Sequence, residues 1–124
     1  MKYLFIIIIS AAITQAGCYY DKHDLLNPDN SCDTSAVTFS RTVVPVLNAN
    51  CTGCHSGTNP PLGVKLDTYV GVKTVASAGT APGFLMKVIT HAPGVAQMPK
   101  NGAKLSDCSI EKIRKWIAAG ALNN

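Results

Sequence analysis

Aromatic side chains make up only 6% of this 124-residue chain, so side chains alone offer little material for filling a large core. There is no apolar–polar alternation of period two, which argues against a sheet-built domain, and no internal repeat, which argues against a solenoid. Basic residues form no block and no aromatic platform accompanies them, so the pI of about 8.9 does not point to nucleic acid. Setting Lys2 aside leaves 10 of the 11 Lys and Arg against 7 Asp and Glu, a balance of only +3. Long apolar runs are also scarce: the main one, Tyr3 to Ile13, is too short to span a bilayer and has the form of the hydrophobic region of a secretory signal.

That run is followed by Gln15-Ala16-Gly17-Cys18, which resembles the lipobox of bacterial lipoproteins, where small residues precede a cysteine that is acylated. Gln15 departs from the usual aliphatic residue, and ordinary signal cleavage after Ala16 or Gly17, leaving Cys18 as a free thiol, is the alternative. The expected organisation is a signal peptide over 1–17, a lipid-anchored polar tether over 18–35 and one domain over 36–124. Between Tyr19 and Ser31 only Leu25-Leu26 is aliphatic, a composition that builds no core. The expected location is a bacterial membrane, facing the periplasm or the cell surface.

The chemistry concentrates at Cys51-Thr52-Gly53-Cys54-His55. In C-x-x-C-H two thiols stand about one helical turn apart, a spacing that matches the two vinyl groups of one haem, and the adjacent imidazole falls under the iron. A zinc site would need two more thiolates, available only from Cys32 and Cys108, which form no second C-x-x-C. A redox-active disulfide would need a βαβ surrounding that is absent. Only covalent haem c, one per chain, also accounts for His55.

With Cys18 assigned to lipid and Cys51 and Cys54 to haem, Cys32 and Cys108 remain as a pair in an oxidising compartment, with two buried free thiols as the alternative. Bonded, they close a loop of 76 residues (108 minus 32). Chain entropy assigns such a loop on the order of 4.5 kcal/mol.

Helical periodicity predicts three to four helices and an all-α domain. Phe39, Val43, Val46 and Leu47 share a face ahead of the haem motif, with Pro45 demanding a kink or a late start. Weaker signals cover Tyr69 to Val75 and Gly83 to Thr90. A last helix is capped by Ser106, runs to Ala119 before Gly120, and buries Ile110, Ile113, Trp116 and Ile117.

A helix, C-x-x-C-H, a loop with Pro60-Pro61-Leu62, Met98-Pro99 followed by Gly102, and a final helix with Trp116-Ile117 before Gly120-Ala121 together resemble a class I cytochrome c domain, over about Phe39 to Leu122. The small haem-c lipoproteins of bacterial envelopes are most similar. The resemblance implies first and last helices crossing around one haem, with Cys51, Cys54, His55, Pro61, Leu62 and Met98 binding it. His55 and Met98 are then the axial ligands, and the Pro61 carbonyl holds His55 Nδ1. The tether and the Cys32/Cys108 pair depart from the family pattern without touching those roles.

For the distal position, Met86 lies in the apolar Phe84-Leu85-Met86 cluster and reads as packing, whereas Met98 sits in a polar, Pro/Gly-rich loop. His91 is the rival ligand. Two protein ligands leave the iron no position for substrate, so the expected function is single-electron transfer with redox protein partners in the periplasm or envelope, not enzymatic turnover. A haem-bearing accessory or sensor subunit, or a peroxidase-like enzyme with a labile distal ligand, are the competing readings.

Overall fold

Residues 32–77 and 83–124 are described by the computed structural model; the expected signal peptide, Cys18 and the expected tether up to Ser31 lie outside the described residues. Cys32–Asn124 forms one compact unit. Among the described residues it has four α-helices and no strand. A π-wound turn, Phe39–Val43, leads directly into α1, Val44–Asn50. Then come α2, Tyr69–Ser77, the short α3, Phe84–Ile89, and α4, Asp107–Ala118.

The wide turn is the answer to Pro45. Proline has no N–H and its ring crowds the carbonyl four residues back, so the preceding turn opens to i→i+5 bonding. Val43 N–H donates to Thr38 O at 3.2 Å and Val44 N–H to Phe39 O. The helix start is capped from both ends of the domain: the Thr38 hydroxyl accepts from Arg41 N–H, and Asn124 accepts from Phe39 N–H through its side chain and from Ser40 N–H through its main chain, both at 2.8 Å. The last segment of the chain thereby closes onto the first helix.

Phe39, Val43 and Leu47 are buried with Ile110, Ile113 and Trp116, while Val46 and Ile117 pack half-buried at the edge. The Phe39 ring lies 5.3 Å from that of Trp116 and 5.2 Å, edge-on, from that of Tyr69, so the first and last helices meet through stacked aromatics. Six per cent aromatic content suffices because three of these rings sit together at one junction. Trp116 Nε1–H and the Tyr69 hydroxyl then donate to the carbonyls of Leu122 and Ala121 at 2.8 and 2.9 Å, pinning the tail.

α4 ends as its sequence predicts. Gly120, at φ +94°, allows Gly120 N–H to reach Ile117 O and Ala121 N–H to reach Trp116 O, both at 3.0 Å, the Schellman pattern. At its start the Ser106 hydroxyl accepts from Ser109 N–H at 3.2 Å.

Cys32 and Cys108 are joined by a disulfide with Cα atoms 5.3 Å apart, fastening residues 32–35, counted with the tether above, to the first turn of α4. Because the bond closes 76 residues, replacing both cysteines by alanine is expected to cost about 3–4.5 kcal/mol, read from the denaturant midpoint. A loss below about 1 kcal/mol would show that the unfolded chain is not the state the bond constrains.

Candidate haem site

α1 delivers the motif. Cys51 N–H donates to Leu47 O at 2.7 Å as the helix ends, and Cys54 N–H and His55 N–H donate to Cys51 O at 3.1 and 2.9 Å, so a hydrogen-bonded turn just past the helix carries C-x-x-C-H. Cys51 is half-buried, Cys54 exposed and His55 half-buried. Burial pushes the Cys51 thiol above its ordinary pKa, because a thiolate loses hydration there. Both are free thiols. Cys32 and Cys108, the other cysteines a zinc site would need, are committed to their disulfide and cannot serve as thiolates.

His55 is clamped by the segment that follows the motif. Its carbonyl accepts from Leu66 N–H at 2.7 Å, and its Nδ1 lies 3.1 Å from Val64 O. A carbonyl can only accept, so Nδ1 carries the proton and Nε2 keeps a bare lone pair, the tautomer that coordinates a metal. This corrects the expected partner, which was Pro61. The Pro61 carbonyl is taken by Val64 N–H at 3.1 Å in the 3₁₀ turn Pro61–Gly63, and the chain leaving that turn presents the Val64 carbonyl to the ring instead. Leu62 (φ +54°) and Gly63 (φ +68°) supply the left-handed backbone that the reversal needs. Asp67 closes the loop by accepting from Gly57 N–H at 3.1 Å.

Behind the clamp stands Gly71 of α2. A Cβ at this position would come within 1.9 Å of Lys65 O, so only glycine lets the 64–66 segment lie against the helix. Neither Val64 nor Gly71 stands out in the sequence, since one acts through a main-chain atom and the other through having no side chain.

Met98 follows α3, in the stretch leading to α4. Its N–H donates to Val88 O at 3.0 Å, and its carbonyl lies 3.1 Å from His91 Nε2. Contrary to its polar surroundings in sequence, Met98 is half-buried and packs against the core, as Met86 does. Folding of the stretch back onto Val88 is the reason. Leu62 is 93% exposed, an apolar side chain that the protein alone leaves uncovered.

The donor set fits haem c: two reduced thiols at vinyl spacing in a chain that has oxidised another pair, and an imidazole with its Nε2 bare. Covalent haem c attachment through Cys51 and Cys54 follows. Among the described residues no group of three or more His, Cys, Asp or Glu side chains could hold a metal ion of its own. The all-α arrangement with C-x-x-C-H closing the first helix matches a small class I cytochrome c fold, and its motif supports a c-type cytochrome role in electron transfer. Comparison of the chain with protein-family models, curated proteins and solved structures finds no match.

Proposed function

We propose that this protein is a membrane-tethered, periplasm-facing monohaem cytochrome that passes single electrons through an iron ligated by His55 and Met98. The observation that carries the reading is the His55 clamp: Nδ1–H held by Val64 O leaves Nε2 as the free donor. When bound, haem c supplies a one-electron ferric/ferrous couple. The clamp fixes the imidazole plane and raises its basicity. Met98 offers a soft thioether that favours the reduced state, from a loop whose main chain is tied to the end of α3. Pro61 and Leu62 form the turn beside the clamp and are assigned to the haem surround. With His55 and Met98 both holding the iron, substrate would have no point of attachment, and electrons would exchange with redox protein partners of the envelope.

The test is an equilibrium redox titration of the purified holoprotein with and without carbon monoxide. A single one-electron transition and poor carbon monoxide uptake at neutral pH are expected. Ready uptake by the native reduced protein would indicate an open sixth position and favour a peroxidase-like reading.

Tethering is proposed from the lipobox-like Gln15-Ala16-Gly17-Cys18. Acylation beyond one chain gives stable membrane residence, so the wild type is expected in the membrane fraction and Cys18→Ser in the soluble periplasmic fraction. Recovery of the wild type as a soluble protein would refute the anchor.

A further inference from the structure

The sequence offered His91 as a rival axial ligand, and the structure gives its ring a different task. We infer that His91 is a positioning residue for Met98, an inference that rests on Met98 being the distal ligand. His91 Nε2 lies 3.1 Å from Met98 O, and a carbonyl accepts only, so Nε2 carries a proton and has no lone pair to offer the iron.

The hydrogen bond completes a set. Met98 N–H is already tied to Val88 O at 3.0 Å, and that same carbonyl receives His91 N–H at 3.3 Å. Both main-chain groups of Met98 are thus bound to the four residues Val88 to His91, at and just beyond the end of α3. Thr90 reinforces the platform by donating its hydroxyl to Met86 O at 2.7 Å, and Ala92 N–H reaches Lys87 O at 2.9 Å.

His91 itself sits at φ +57°, a left-handed backbone that glycine or asparagine adopts more easily. A position chosen only to turn the chain would suit glycine better. The ring, on a half-buried residue and bonded to Met98 O, is the feature that glycine could not supply. Without it Met98 keeps one main-chain tie, and the thioether is held by a looser loop.

The experiment compares four variants of the full holoprotein: Met98→Ala, His91→Ala, His91→Gly and His91→Gln. The readouts are the ferric methionine–iron charge-transfer absorption, the reduction potential, and the carbon monoxide affinity of the reduced form. Losing one hydrogen bond raises the open population, and so the carbon monoxide affinity, by about three- to tenfold in His91→Ala. His91→Gly shows the same loosening even though it relieves the backbone, which separates the ring's role from that of the turn. His91→Gln, whose amide can donate from near the Nε2 position, returns the affinity to within about twofold of wild type. If Met98→Ala opens the site while His91→Ala and His91→Gly behave as wild type, the positioning role is overturned and methionine ligation stands. If Met98→Ala leaves all three readouts unchanged, ligation by Met98 and the role of His91 fall together. Loss of the sixth ligand in the His91 variants with none in Met98→Ala would make His91 the ligand and overturn the inference as well.

Discussion

The double substitution Cys51→Ala/Cys54→Ala is expected to abolish covalent haem, leaving a chain whose intact mass lacks the cofactor and whose colour is lost on acid extraction. Wild type should retain one haem through the same treatment. The expected effect extends to folding, because aromatic side chains are few, the helices are short and Leu62 is left 93% exposed by the protein alone. A macrocycle that removes roughly 200 Å² of apolar protein surface from water contributes about 5 kcal/mol. That is comparable with the whole stability of a small domain, about 5–15 kcal/mol. The double variant should therefore unfold at markedly lower denaturant even with Cys32–Cys108 intact. The single variants should each keep one thioether and an intermediate stability. Haem that withstands denaturing extraction in the double variant would overturn the attachment, as would stoichiometric zinc held by Cys51 and Cys54 in the wild type.

What could be read before the structure depended on which atoms carry each feature. The buried stripe Ile110, Ile113 and Trp116 and the stop at Gly120 are side-chain properties at helical spacing, and they appear where periodicity and capping put them. The disulfide followed from counting thiols in a chain expected to be exported. The motif itself was legible because its spacing is its chemistry. The carbonyl that holds His55 was not, since every residue has one and the choice between Pro61 and Val64 depends on how the 3₁₀ turn spends its own hydrogen bonds. Gly71 was hidden for a related reason: its value lies in the approach of Lys65 O from a different segment, which no local pattern records. Met98 shows the limit of reading burial from neighbours. Its surroundings are polar in sequence, yet the bond to Val88 O draws it onto the core.

Met98→Ala is the substitution with the largest expected effect on redox behaviour. In the proposed resting state the thioether occupies the sixth position, and an external ligand binds only in the fraction of molecules where the loop has released it. A loop that is closed in roughly 99% of molecules suppresses apparent affinity about a hundredfold, equivalent to about 2.8 kcal/mol. Removing the sulfur removes that competition, so the reduced variant should bind carbon monoxide about a hundredfold more tightly and gain peroxidase turnover that the native protein lacks. The potential should move as well. A soft sulfur stabilises the ferrous state more than the ferric, and its replacement by water reverses the preference. A fall on the order of 0.1 V is expected, within the roughly 0.8 V that axial ligation spans. The clamp on His55 is untouched by the change, because Val64 and Leu66, which hold it, belong to a different segment from Met98. One-electron behaviour should therefore survive at the lower potential. Met86→Ala serves as the contrast: it also removes a half-buried methionine packed on the core, from within α3, and should cost stability while leaving potential and ligand affinity in place. If Met86→Ala and Met98→Ala shift the potential equally, the effect is one of packing, and the methionine-ligated carrier is the wrong account of the site.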